Sequence, residues 1–278
     1  MKFGIVQPDN LLGVENVPHN RQRNGETIED LFRQGADLVV LPECSDHQYI
    51  LSSMEEVREY SETLEGPSAS YWKKLAVKWN KYIVGGILEQ DGDHFYNTAV
   101  LIGPNGYEGH YRKVHLFNWE NDFLTPGNLG FPVFHLPSHD INISILICYD
   151  LRFSEAVRTV AMKGTDVLLV PTTWTSIGKK ILWDNNGYCL ANYLAISHSY
   201  SNRLSLVCAN RAGKEGDVQF MGSSIIVNAQ SELIGELGSN RDADQLIGDI
   251  TPSLSRNKNV GEKNNLLQDR HPEYYFKV

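Results

Sequence analysis

Three short segments carry residue types that could do covalent chemistry together. Leu41-Pro-Glu-Cys44 places Glu43 just after the apolar run 37–41, which Pro42 stops. A carboxylate beside a buried strand end can have a raised pKa and act as a base; the same glutamate can equally close a salt bridge at a sheet edge. Tyr111-Arg-Lys-Val-His115 reads as a strand of mixed polarity, with Lys113 and His115 on one face and Arg112 on the other. A half-buried ammonium there stabilises a developing oxyanion, whereas a solvated basic edge strand does no chemistry. Residues 144–155 read as an apolar strand that runs out at Cys148, then a turn, then a helix opening near Ser154. The positive end of that helix, with a cation nearby, would lower the thiol pKa and yield a thiolate. A buried structural cysteine is the alternative. Cys44, Cys189 and Cys208 sit in plainer contexts.

These segments need a scaffold to bring them together. Apolar runs rich in Val, Ile and Leu recur at 3–6, 38–41, 82–88, 98–102, 141–148, 167–170, 204–209, 223–227 and 246–250. Several are apolar throughout, as strands buried on both faces are. Helical stripes fall between them. Ile28, Leu31 and Phe32 follow a Thr27/Asp30 capping pair and precede Gly35; Trp72, Leu75, Ala76 and Trp79 follow Gly66-Pro67; Ala156, Val157, Val160 and Ala161 precede Gly164. A longer helix is expected over about 180–200. The alternation predicts α/β layers, and the strand-rich stretch 204–250 predicts a mixed sheet, or two packed sheets with helices outside.

The 278 residues carry 34 acidic and 25 basic side chains, a formal charge of −9, which argues against broad contact with nucleic acid or an anionic membrane. No apolar run approaches the ~20 residues that span a bilayer. The first residues show no secretory core, and four cysteines do not make a disulfide scaffold in a chain of this length. The expectation is one domain over residues 1–278, working in the cytoplasm with reduced thiols. No phosphate-binding loop, dinucleotide fingerprint, Gly-x-Ser-x-Gly elbow or zinc-ligand spacing is present in the sequence.

Taken in order, the three segments resemble the nitrilase superfamily of carbon–nitrogen hydrolases, over nearly the whole chain. The resemblance rests on Phe3-Gly-Ile-Val-Gln-Pro8, Leu41-Pro-Glu43, Tyr96-Asn-Thr-Ala99, Tyr111-Arg-Lys113, Pro126-Gly127, Ile147-Cys-Tyr-Asp-Leu-Arg-Phe153, Cys208-Ala-Asn-Arg211 and Phe220-Met-Gly-Ser-Ser224. It implies an α/β fold of four layers, an αββα sandwich, that pairs into a homodimer or a higher homo-oligomer. It also implies a Glu–Lys–Cys triad with no metal and no organic cofactor. Carried onto this chain, Cys148 would be the nucleophile, Glu43 the general base, and Lys113 the stabiliser of the tetrahedral intermediate. Glu120 would hold Lys113 and orient the substrate, and the Tyr149 N–H would complete the oxyanion site. The segment from Cys148 to Phe153 resembles the amidase branches that include omega-amidase. The expected substrate is therefore a small linear amide, cleaved through a thioester with release of ammonia. An N-carbamoyl amine or amino acid comes next, then a nitrile; a catalytically silent scaffold is the non-enzyme alternative. Tyr49 and Trp174 are expected to line the pocket, and Arg152 or Arg211 to meet a carboxylated substrate. The chain departs from the family pattern at Gln48-Tyr49, at 198–202 and at 228–231, which leaves the triad intact and bears on pocket shape.

Overall fold

In a computed structural model that describes residues 1–178 and 180–275, two β-sheets pack face to face and helices cover both outer sides. The first sheet contains β1 (Lys2–Gln7), β2 (Leu38–Val40), β3 (Tyr82–Asp91), β4 (His94–Gly103), β5 (Gly106–Arg112) and the late strand β13 (Asp244–Asp249). The second contains β6 (Phe134–Leu136), β7 (Ile141–Ile145), β8 (Val167–Pro171), β9 (Ser205–Ala209) and β12 (Ile225–Val227). A separate hairpin joins β10 (Lys214–Glu215) to β11 (Val218–Gln219). Helices α1 (Val17–Arg33) and α3 (Pro67–Trp79) pack on the first sheet; α6 (Leu190–Asn202) packs on the second, with α5 (Ser154–Met162) against it. Short helices α2 (Met54–Tyr60), α4 (Glu120–Phe123) and α7 (Ser253–Arg256) lie in the connections. This is the αββα order the sequence led us to expect.

Both sheets follow one plan. Three parallel strands, β1–β2–β3 in one and β7–β8–β9 in the other, are flanked by antiparallel neighbours. Helical crossovers between parallel strands leave their carboxyl ends free for function. The continuous apolar runs are explained by burial on both faces. Phe3, Ile5, Leu38, Val40 and Val84 meet the second sheet, while Val6, Val39, Leu41 and Ile83 turn outward onto Ile28, Leu31 and Trp72.

Two elements differ from the sequence reading. Helix α1 begins at Val17, ten residues before the Thr27/Asp30 pair that looked like its cap, so that pair lies inside it. Its first half has no apolar stripe because its inward face is polar. Asn20 Nδ2 donates to the Asp46 carbonyl (3.1 Å), and Asn24 Nδ2 donates to Asp46 Oδ1 and to the Ser45 carbonyl (both 3.0 Å). That half of the helix anchors the loop that follows Glu43. The helix expected near 180–200 is α6, which starts only at Leu190. Among the described residues no helix is long and apolar enough to cross a membrane.

Candidate active site

Glu43 stands in the turn where β2 gives out, fully buried. The turn docks on β3. Ser45 N–H donates to the Gly86 carbonyl (2.9 Å), and Gly86 N–H donates to the Pro42 carbonyl (3.2 Å) and to Ser45 Oγ (2.8 Å). Only glycine fits here, since a Cβ at position 86 would come within 2.8 Å of Glu43 Cα. Cys44 completes the bend with a φ of +49°, in the left-handed region.

Lys113 follows the last residue of β5 and is fully buried. The alternation that paired Lys113 with His115 on one strand face does not hold, because the strand stops at Arg112. Nor is the segment a solvated basic edge: Arg112 is buried and bonded to Glu89 (Nε–Oε2 3.0 Å) and Asp91 (Nη2–Oδ2 2.8 Å). Two backbone bonds place Lys113: its N–H donates to the Asn97 carbonyl, and its carbonyl accepts from Gly127 N–H (both 2.8 Å). A Cβ at position 127 would lie 2.0 Å from the Arg112 carbonyl oxygen, which explains the glycine of Pro126-Gly127.

The Lys113 ammonium donates to Glu43 Oε1 (2.6 Å) and to both oxygens of Glu120 (2.9 and 2.8 Å). Asn97 Nδ2 bridges the same carboxylates, at 2.6 Å to Glu43 Oε1 and 2.7 Å to Glu120 Oε1. Phe117 N–H donates to Glu120 Oε2 (2.6 Å), and Thr173 Oγ1 donates to Glu43 Oε2. Burial works against the charge of Lys113, but Glu120 and Glu43 overcome it and hold its pKa well above the usual lysine range. Burial pushes the Glu120 carboxyl up to about 7, with Lys113 opposing and Glu43 reinforcing.

Cys148 lies past the end of β7, with a φ of +45°. Such a backbone costs about 1–3 kcal/mol in a non-glycine residue and persists only where its surroundings impose it. Asp150 imposes it. Its carboxylate accepts from Ile147 N–H (3.0 Å), Tyr111 Oη (2.8 Å) and His115 N–H (3.0 Å), and His115 Nδ1 lies 2.7 Å away. One buried carboxylate thus straps the turn at Cys148 to the segment on either side of Lys113. A 3-10 turn, Cys148–Arg152, comes between the thiol and α5. The expected resting thiolate is not what the site favours. Burial first, then the charge of Glu43, push the Cys148 thiol up to about 12, with Lys113 opposing.

A cavity of about 560 Å³ opens above the thiol, lined in part by Phe117, Cys148, Tyr149, Arg152, Thr173 and Trp174. Trp174, Tyr149 and Arg152 therefore stand on the wall. Tyr49, expected to line the pocket, does not stand on that wall. It is buried, with Trp119 and Phe220 edge-on to its ring, and it faces Glu120 and Glu43. Arg211 is outside the cavity altogether. It is bonded to Glu215 (2.6 Å) and lies over Phe220, while Glu215 takes the N–H groups of Tyr49 (2.8 Å) and Ile50 (2.7 Å). Its charge is spent on holding that loop. Sequence reasoning missed Asn97, Thr173 and the strap at Asp150. Asn97 did carry a signal, its place in the Tyr96-Asn-Thr-Ala99 segment on which the resemblance rests, just ahead of the apolar run at 98–102.

The carbon–nitrogen hydrolase family model matches residues 2–258 of the chain. A protein named nitrilase from Pyrococcus abyssi is 35% identical over 274 residues, 98% of this chain and 95% of its own length. An omega-amidase from Xenopus tropicalis is 29% identical over 232 residues, 79% of each. Among solved structures, a carbon–nitrogen hydrolase from Helicobacter pylori shares the fold with a TM-score of 0.83 at 22% identity, covering 99% of this chain and 96% of that one.

Proposed function

This chain belongs to the carbon–nitrogen hydrolase family, and from that membership we propose that it cleaves a small linear amide through a thioester on Cys148. Family membership alone makes it a hydrolase of carbon–nitrogen bonds. What supports the thioester reading is the buried bonding of Glu43, Lys113 and Glu120, joined through Thr173 and Phe117 to the lining of a cavity that includes Cys148, whose thiol feels the charges of Glu43 and Lys113.

In this reading Glu43 takes the thiol proton as Sγ attacks the amide carbonyl, and the carbonyl π pair moves onto oxygen. A thiol with a pKa near 12 needs such a base at hand. The three N–H donors of an ammonium are matched here by three carboxylate contacts, so Lys113 is fully engaged before the reaction. Once Glu43 is protonated its hold on Lys113 weakens, and one N–H is released toward the new oxyanion. The Tyr149 N–H, in the first turn of a 3-10 segment, is the second donor. Collapse breaks the C–N bond as Glu43 returns its proton to nitrogen, and ammonia leaves a thioester. Glu43 then activates water, the acid departs, and the thiol is restored.

Trp174, Tyr149 and Arg152 are proposed as substrate contacts from their place on the wall, and Tyr49 as buried support near Glu120 and Glu43. The exposed Leu190, Tyr193 and Tyr200 share one face of α6, which supports a homodimer through that helix. Four cysteines in a chain of this length, too few for a disulfide scaffold, suit a cytoplasmic setting. Nitrile hydrolysis is the second reading, favoured by the name of the 35% identical relative. Ammonia release from dicarboxylate monoamides, neutral amides, N-carbamoyl compounds and nitriles tests the choice. The amide reading expects the amides to lead; a lead by nitriles, or silence across the panel, contradicts it.

A further inference from the structure

We infer that Thr173 is a positioning residue that selects which oxygen of Glu43 takes the proton of Cys148. The inference rests on the hydrolase reading above. Thr173 lies just beyond β8, in the second sheet, whereas Glu43 follows β2 in the first. Its side chain therefore reaches across the sandwich at the point where the two parallel strand systems present their carboxyl ends.

Thr173 is buried. Its Oγ1 donates to Glu43 Oε2. Thr173 and Cys148 line the same cavity. The strands that lead into them, β8 and β7, are parallel neighbours, so the residue that bonds the base comes from the strand beside the one that carries the thiol.

The two oxygens of Glu43 are not equivalent. Oε1 accepts from the Lys113 ammonium and from Asn97 Nδ2, both at 2.6 Å, and those two bonds fill its acceptor sites. Oε2 accepts from the neutral hydroxyl of Thr173 and keeps one lone pair. A charged donor withdraws more from its acceptor than a neutral one, so Oε2 is the more basic oxygen. The terminal torsion of a glutamate is soft and roughly two-fold, so nothing intrinsic to the side chain fixes where that lone pair points. Lys113 and Asn97 hold the Oε1 end of the carboxylate, and the hydroxyl of Thr173 holds the Oε2 end and occupies one of its two lone pairs, leaving the other for the proton. With the hydroxyl in place, the proton leaving Sγ arrives at Oε2, and the same oxygen later returns it to the leaving nitrogen.

The test compares Thr173→Val with Thr173→Ser, on the best amide of the panel. Valine keeps the shape and loses the hydroxyl; serine keeps the hydroxyl. Thr173→Val should lower kcat about a hundredfold, with KM within about threefold of wild type. Thr173→Ser should keep kcat within about threefold of wild type. Both should unfold within about 3 °C of wild type, which separates positioning from lost structure. Three results would overturn the inference. In one, Thr173→Val keeps its kcat. In another, serine fails as badly as valine, which makes the residue a packing element. In the third, the loss falls on KM alone, which makes it a wall of the pocket. A wild type inactive on the whole panel would instead remove the hydrolase reading, and this inference with it.

Discussion

The Lys113 ammonium lies 2.6 Å from Glu43 Oε1, and neither side chain has any exposure to solvent. A buried cation so placed is held by its partners as much as it holds them. Removing one member of such a set leaves an uncompensated charge in a dry place. Lys113→Met should therefore abolish turnover and lower stability by about 3–5 kcal/mol. Adding Glu43→Gln and Glu120→Gln should recover much of the stability and none of the activity. Urea unfolding measures both; a loss below about 1 kcal/mol for Lys113→Met would refute the buried-ion account.

Glu120 should set the acid side of the pH profile. Its carboxyl, raised by burial to about 7, loses its charge below that pH and with it much of its grip on Lys113. The rate constant kcat/KM should fall on the acid side near pH 7, well above the ordinary carboxylate range. Glu120→Gln should be slower at every pH and should lose that limb. Stability runs the other way. From about 4.5 to about 7 the folded protein keeps a proton that the unfolded chain gives up, so Glu120 contributes less as pH rises through that window. A wild-type profile level down to pH 5 would contradict this assignment.

The thiol of Cys148 should be a slow nucleophile toward iodoacetamide at neutral pH, and its alkylation should quicken steadily into the alkaline range. Glu43 is one cause of that, since its negative charge disfavours a thiolate beside it. Glu43→Gln should therefore turn over about a thousandfold more slowly and yet alkylate faster than wild type at a given pH. Mass spectrometry of the Cys148 peptide reads the second effect. Slower alkylation in the variant would show that the charge of Glu43 does not govern the thiol.

Asp150 is the strap of the turn at Cys148. Asp150→Asn keeps one acceptor oxygen where the aspartate uses both, so at least one of its buried donors, Ile147 N–H, His115 N–H or Tyr111 Oη, loses its partner. The expected cost is about 1–3 kcal/mol. Thermal unfolding should show it, together with a drop in kcat as Cys148 moves off its position. A variant with wild-type stability and kcat would remove the strap from the account.

Strand ends were the most legible feature of this protein. Glu43 and Cys148 each follow an apolar run, and in layered α/β folds that is where chemistry collects. Lys113 was visible as a residue type and not as an environment, because nothing local tells a buried ammonium from a solvated one. The bonds that make the site are long-range. Thr173 lies 130 positions from Glu43, and Asn97 lies 54 from it. The first half of α1 was illegible for a different reason. A stripe of inward asparagines reads as a surface until the loop at 44–46, which those side chains hold, is in view.

The central claim is that Cys148 carries the acyl group. Wild type mixed with an amide that it turns over, then quenched in acid within a few turnovers, should show an added mass equal to the acyl group. Peptide mapping should place that mass on Cys148. In Cys148→Ala the adduct should be absent and ammonia release should fall by at least about a thousandfold. Ammonia release by Cys148→Ala at the wild-type rate, or an adduct on another residue, would contradict the account.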